Sequence, residues 1–293
     1  MSSPRHLIIA GPTASGKSAL ALRLARARDA AIVNADAMQV YACWRILSAR
    51  PSDADLAAAP HLLYGHVGRR DAYSVGHWLR QVQALLDQGR PLVFVGGTGL
   101  YLSALTEGLA PVPDIPPEIR HRGNELRQAY GAEGFLAELA QADPKALARI
   151  DRQNPVRLQR AWEVVRATGR PLADFHAGAA PPLLPAGSFD GMVLQVAPSA
   201  LRDRIAARFH AMMDAGALGE VRAVMADGWD ASLPASRAHG APELAGYLRG
   251  ERTLDDAIAR GILNTQQYAK RQRTWFRNRM ADWLRVTPDG SPA

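Results

Sequence analysis

Eight residues near the amino terminus, Gly11-Pro12-Thr13-Ala14-Ser15-Gly16-Lys17-Ser18, carry the most legible chemistry in this sequence. The glycines of such a loop let backbone N–H groups converge on phosphate oxygens, Lys17 supplies a full charge, and Ser18 offers a hydroxyl of the kind that holds Mg2+. The spacing matches a P-loop and predicts a phosphate cradle; the alternative is a glycine-rich turn that binds nothing. Holding a phosphate chain does not say which bond breaks. P-loop proteins that act on a γ-phosphoryl group place a carboxylate at the end of a later apolar strand, yet the strand expected at Leu92 to Val95 runs into Gly96-Gly97-Thr98. The available carboxylate is Asp36, beyond the second expected strand and beside Gln39 and Tyr41. At the carboxyl edge of a parallel sheet, near a phosphate cradle, it is placed to take a proton from an incoming nucleophile; a helix cap or an outer ligand to Mg2+ also suits the position.

A second group lies near the carboxyl end. From Gln267 to Arg285 the chain interleaves cations with Tyr268, Trp275, Phe276 and Trp283. On a helix, Lys270, Arg273 and Arg277 form one ladder at i, i+3 and i+7, while Tyr268 and Trp275 fall largely elsewhere, so one face packs and the other meets phosphates. A solvated amphipathic helix has the same composition. The same two readings hold for Arg157, Arg160 and Arg166, whereas Trp162 reads as core. His61 and His66 form no convincing metal pair, and Cys43 beside Trp44 reads as a small apolar residue.

The elements that must position these groups alternate short apolar runs with helical patterns over the first hundred residues, which predicts an α/β unit with a parallel sheet. Strands are expected at His6 to Ala10, Ala30 to Val33 and Leu92 to Val95, and helices at Ser18 to Arg28 and Val75 to Gln88. After Gly108, prolines at 111, 113, 116 and 117 break the pattern. An Ala-, Arg- and Glu-rich stretch of helical spacing follows to about Thr168, with no strand signal. A loose segment from Gly178 to Gly187 precedes a returning strand at Met192 to Val196. The fold class expected is α/β: a P-loop NTPase-like core with a parallel sheet flanked by helices, formed by residues 1–114 and 188–293, with an all-helical insertion at 115–187.

Composition bounds the partners. The 293 residues are 47% hydrophobic, enough for one large core or a core with an appended unit. The single cysteine excludes an internal disulfide and a Cys-based zinc site and suits a reducing compartment, so the expected location is the cytoplasm. The apolar run Leu7 to Ala10 after the Met1 to Arg5 terminus is too short for a signal-peptide core or a membrane span. Lys and Arg outnumber Asp and Glu by 35 to 28, a field that attracts polyanions and permits nucleic acid without proving it.

Taken in order, the motifs resemble the tRNA dimethylallyltransferase family, also called tRNA isopentenyltransferase. The resemblance is carried by Gly11 to Ser18, Asp36-Ala37-Met38-Gln39-Val40-Tyr41, Gly96-Gly97-Thr98-Gly99-Leu100-Tyr101, Arg157-Leu158-Gln159-Arg160, Leu201-Arg202-Asp203-Arg204-Ile205 and Tyr268 to Phe276. It implies transfer of a dimethylallyl group from dimethylallyl diphosphate to N6 of the adenosine 3′ of the anticodon in tRNA, with the base flipped into a channel. It also implies Asp36 as general base, with Thr98 and Arg120 near the reacting groups. Gly11, Thr13, the run Ala14-Ser15-Gly16-Lys17-Ser18 and Arg204 would hold the diphosphate, Ser18 with Mg2+ as cofactor. The tRNA anticodon stem-loop would meet Asp36, Ala37, Met38, Gln39, Arg157, Arg160, Lys270, Arg271, Gln272 and Arg273. A monomer with no membrane contact is the implied form.

Three positions depart from the family's pattern: Ala37 stands where Ser is common, Gly240-Ala241-Pro242 replaces a Gly-Tyr pair followed by a basic residue, and Thr265-Gln266 replaces a Thr-Arg pair. The rival readings are an adenylate isopentenyltransferase acting on free nucleotides and a P-loop kinase of small molecules.

Overall fold

A computed structural model describes residues 5–176 and 180–293; residues 1–4 of the amino terminus and 177–179 of the loose proline-rich stretch lie outside the described residues. Six strands form one parallel sheet: β1 (His6–Ala10), β2 (Ala31–Asn34), β3 (His61–Leu62), β4 (Leu92–Gly96), β5 (Phe189–Leu194) and β6 (Leu284–Val286). Their spatial order is β3-β2-β4-β1-β5-β6. The central strands are buried on both faces, and so their sequences are continuous apolar runs.

Helices α1 (Lys17–Ala27), α2 (Asp53–Ala58), α3 (Val75–Leu86) and α4 (Gly99–Glu107) precede the helical stretch. Alternate residues of each strand separate the two faces of the sheet. Leu7, Ile9, Val93 and Val95 pack with Leu20, Ala21 and Ala25 of α1. Ile8, Ala10, Val33 and Phe94 pack with Trp78 and Val82 of α3 and Leu102 and Leu105 of α4.

The chain divides into two compact units, residues 1–106 with 183–293, and residues 107–182. Both boundaries fall earlier than the prolines suggest. Ala180 N–H bonds to the Leu109 carbonyl at 3.1 Å inside the smaller unit, while Leu184 is buried in the sheet's core and bonds back to Leu105. The smaller unit comprises α5 (Pro117–Tyr130), α6 (Glu133–Ala142), α7 (Pro144–Leu147), α8 (Pro155–Thr168) and α9 (Leu172–His176). Phe135, Leu139, Leu158 and Trp162 form its core, the last donating its indole N–H to Glu138 at 2.7 Å.

The larger unit closes with α10 (Pro198–Asp214), α11 (Ala217–Ala226), α12 (Ala241–Leu248) and α13 (Leu254–Arg279). The basic segment is not one helix to Arg285. It ends at Arg279 and returns as β6 beside β5. Two contacts cause the stop: Trp283 packs so tightly over Gly191 that a Cβ there would stand 2.5 Å from its ring, and Arg285 donates to the Met280 carbonyl at 2.7 Å. The returning strand starts earlier than expected, at Phe189, pairing residue by residue with β1 from His6. The two-residue β3 and short β6 had no sequence signal.

Candidate active site

The loop between β1 and α1 is bent by positive φ at Ala14 (61°) and Gly16 (96°), a conformation that turns successive N–H groups toward one concavity. Thr13 and Ala14 face the pocket at the sheet's carboxyl edge. Ser15 does not: its side chain is fully buried against Gly11 and its N–H bonds to the Pro12 carbonyl at 3.2 Å, so it shapes the loop. Lys17 Nζ reaches the Pro12 carbonyl at 3.3 Å. Loss of hydration holds its pKa down to about 8, with the Asp36 charge pulling it up and the Arg208 charge pushing it down. Ser18 is exposed in the first turn of α1.

Asp36 is held from three sides. Its Oδ1 accepts from Met38 N–H at 2.9 Å, and its own N–H donates to Asn34 Oδ1 at 2.8 Å. Fully buried Asn34 donates from its amide to the Asp36 and Leu63 carbonyls, and Trp78 on α3 donates to the Asn34 carbonyl at 2.7 Å. Ala37 N–H donates to Thr98 Oγ1 at 3.0 Å, so Thr98 steadies the turn that carries the carboxylate. The turn bears no helix, which removes the capping alternative for Asp36.

Why the strand β4 ends in two glycines is now a matter of space. A Cβ on Gly96 would lie 2.0 Å from the Ala35 carbonyl oxygen, and one on Gly97 would lie 2.1 Å from Gln272 Nε2. Gln272 is 5% exposed; it accepts from Thr13 N–H at 2.9 Å and donates to the Gly97 carbonyl at 2.8 Å. Expected among the RNA contacts, it is instead a brace that ties the phosphate loop to the end of β4. Its amide occupies the space where a side chain on residue 97 would have to go.

The pocket lined by Thr13, Asp36, Arg208, His239 and Tyr268 continues along Met38, Leu47, Ile205, Phe209, Met212 and Ala238. Arg204, which the resemblance puts on the diphosphate, is exposed on α10, and the arginine that reaches the pocket is Arg208. At 100° per residue Arg208 falls in the stripe of Ile205, Phe209 and Met212, whereas Arg204 lies at its margin. Burial pushes the Arg208 pKa down and the Asp36 carboxylate pushes it back up. His239 packs on Tyr268 with ring centroids 4.4 Å apart, and burial lowers its pKa. Burial raises the Tyr268 pKa, against the opposing effect of the polar Thr98 and Gln272 side chains. The signal for Arg208 was available in the periodicity of α10; nothing in the sequence marked His239.

The loop of residues 37–50 that forms one wall is pinned by hydrogen bonds to the helices behind it. Glu220 on α11 accepts the N–H groups of Arg45, Ile46 and Leu47 at 2.7, 2.8 and 3.0 Å, and Trp44 donates to the Ala235 carbonyl at 2.8 Å. Gln39, expected to meet a nucleotide, donates to the Ser48 and Ala49 carbonyls at 2.9 Å each. Ala37 and Met38 sit on the same turn, partly buried.

On α13, Lys270, Arg271 and Arg273 are exposed while Ala269, Gln272 and Phe276 are buried. Arg271 lies over the Tyr268 ring at 5.8 Å; Lys270 and Arg273 line a separate open groove with Arg277 and Arg285. Arg120, Arg157 and Arg160 belong to the smaller unit. There Arg120 and Arg157 are exposed, whereas Arg160 is partly buried, 3.8 Å from Glu163. Burial and the nearby Arg120 charge depress the Arg160 pKa against the pull of Glu163 and Asp114.

Among the described residues no cluster of three or more His, Cys, Asp or Glu side chains could hold a metal. The donor set present, one exposed Ser18 hydroxyl beside the loop, fits Mg2+ only as the ion is held with substrate phosphates and water. No helix among the described residues is long and apolar enough to cross a membrane.

Comparison with known proteins places this geometry. The family model described as IPP transferase matches residues 39–279, and that described as isopentenyl transferase matches residues 4–65. A tRNA dimethylallyltransferase of Cereibacter sphaeroides is 56% identical over 96% of each chain, and one of Dinoroseobacter shibae is 54% identical over 98% of this chain and 96% of its own. The solved tRNA isopentenylpyrophosphate transferase of Bacillus halodurans superposes with a TM-score of 0.67 at 30% identity, covering 97% of this chain and 90% of that one. A eukaryotic dimethylallyltransferase acting on tRNA shares the fold, with a TM-score of 0.79 at 23% identity over 98% and 74% of the two chains.

Proposed function

Since this chain belongs to the IPP transferase family and is a prenyltransferase of tRNA, we propose that its donor is dimethylallyl diphosphate and its acceptor the N6 amine of the adenosine 3′ of the anticodon. The observation that carries this reading is a single pocket that joins the phosphate loop, the Asp36 carboxylate and the Arg208 cation to an apolar wall. The diphosphate lies on the loop, near Lys17 and Arg208. The base, flipped from its loop, presents its amine to Asp36. As N6 forms a bond to C1 of the prenyl group, the C1–O bond breaks, diphosphate leaves with the bonding pair, and Asp36 takes the amine proton. Lys17 and Arg208 meet the charge that grows on the departing oxygen. Mg2+, held by the diphosphate and Ser18, would supply further neutralisation of that charge.

The rivals fare less well on this geometry. A γ-phosphoryl transferase needs a carboxylate at the end of β4, and Gln272 fills the space that such a side chain would enter. For tRNA contact we assign the exposed cations Lys270, Arg271 and Arg273 on α13 and Arg120 and Arg157 on the helical unit, leaving Gln272 and Gln39 to hold the site together. The form proposed with this activity is a monomer acting on tRNA in the cytoplasm. Incubation with labelled dimethylallyl diphosphate and either tRNA or AMP, ADP and ATP tests the reading. Label is expected in tRNA, on the adenosine beside the anticodon; label in free nucleotide alone would reject it.

A further inference from the structure

One wall of the pocket beside Asp36 has no room to retreat. Phe209 is 3% exposed and lines the pocket one residue after Arg208 on α10. The far end of its ring is seated against two glycines. A Cβ on Gly261, within α13, would stand 2.4 Å from the ring, and one on Gly240, before α12, would stand 2.8 Å from it and 3.4 Å from Leu47. A glycine inside a helix costs roughly 1 kcal/mol against alanine, so α13 gives up helix stability at the point where this ring needs space. Leu47 meets Phe209 over Gly240, and the backbone of Leu47 is itself tied to Glu220. The wall is therefore rigid on each side that the structure shows.

The chemistry of the wall points to hydrocarbon. Phe209, Leu47, Met38, Met212 and Ala238 offer no N–H or O–H donor, and the hydroxyls of Ser48 and Thr265, also in the lining, already donate to the Trp44 and Gly261 carbonyls, so an adenine edge would leave polar atoms unpaired there. A branched allylic chain has nothing to pair. Because the cation that faces the diphosphate and the ring that faces the chain are consecutive on one helix, the span between head group and wall is set by backbone geometry.

We propose that Phe209 sets the upper limit of prenyl length, admitting one isoprene unit and rejecting two. The inference rests on the reading above that the donor is a prenyl diphosphate. Discrimination works through overpacking: a geranyl chain would have to displace a ring that is already pressed on backbone. Replacing Phe209 by alanine removes a phenyl ring comparable in size to the additional isoprene unit.

The test is parallel transfer from dimethylallyl and geranyl diphosphates to tRNA, with nucleoside products read by mass. The natural chain is expected to use geranyl diphosphate at least about tenfold less well in kcat/KM, as pockets that discriminate by added methylenes do. Phe209→Ala should raise the ratio of geranyl to dimethylallyl transfer by roughly tenfold or more. Phe209→Leu, which keeps an apolar side chain should the alanine variant fail to fold, should raise it less. Equal use of both donors by the natural chain would overturn the limit, and so would a leucine or alanine variant that transfers dimethylallyl with the ratio unchanged. Transfer of neither chain to tRNA by the natural protein would instead reject the donor reading, and the limit with it.

Discussion

Replacing Gln272 by alanine separates a brace from an RNA contact. The side chain is buried, accepts from Thr13 N–H at 2.9 Å and donates to the Gly97 carbonyl at 2.8 Å. Thr13 is partly exposed, so water can replace the acceptor that its N–H loses, at a cost of about 1 kcal/mol. Gly97 is buried, and its carbonyl, left without a donor, adds about 1–3 kcal/mol. The sum is roughly 2–4 kcal/mol from the unfolding free energy of the sheet unit. Urea denaturation followed by tryptophan fluorescence reads it, in a Trp162→Phe background so that the helical unit's only tryptophan is silent. In the folded variant the donor's kcat/KM should fall, because the phosphate loop has lost its tie to β4, while tRNA affinity stays within about threefold. Stability unchanged within about 0.5 kcal/mol, together with a large loss of tRNA affinity, would refute the reasoning and return Gln272 to the RNA surface.

Asp36→Ala should cut turnover by about a hundredfold or more and leave tRNA affinity within a few fold; near-normal turnover would remove Asp36 as the base. Arg208→Ala should lower the donor's kcat/KM by about a hundredfold, and Arg204→Ala by less than about threefold; the reverse ranking would put Arg204, and not Arg208, on the diphosphate. With a Lys17 pKa near 8 in the free protein, the ammonium is charged below that pH and neutral above it, so kcat/KM for the donor should decline above about pH 8; a flat profile to pH 9 would deny Lys17 the anion. Replacing Lys270 and Arg273 together should weaken tRNA binding and flatten its salt dependence, and an unchanged slope in a titration from low to high salt would take this face of α13 off the RNA.

What sequence could tell divides along physical lines. β1, β4 and the loop between β1 and α1 were readable because local signals decide them: apolar runs buried on both sheet faces, and a phosphate loop whose glycine and lysine positions answer to one ligand. The inserted helices were readable for a similar reason, since their periodicity is uninterrupted and their prolines stand at the first turns of α5, α7 and α8. β6 was not, because a three-residue strand continuing a basic amphipathic pattern is decided by what Trp283 and Arg285 find on β5 and at the end of α13.

The active site shows the same division at the level of single side chains. Lys17 and Asp36 announce themselves by type and neighbourhood. Gln272 carries no charge, sits among four cations in Lys270, Arg271, Arg273 and Arg277, and was grouped with them by adjacency. Adjacency is the wrong measure on a helix: residues 269, 272 and 276 turn inward together while 270, 271, 273 and 277 turn out, so the polar residue most deeply engaged with the phosphate loop is hidden inside the segment that looks most like RNA surface. By the same geometry Arg208 turns toward the pocket while Arg204, four residues earlier, stays exposed on α10. Where a buried polar residue interrupts a cationic ladder at core spacing, the inference to draw from sequence is a tie to another part of the site, and the glycine opposite it, Gly97 just after β4, is the place to look for its partner.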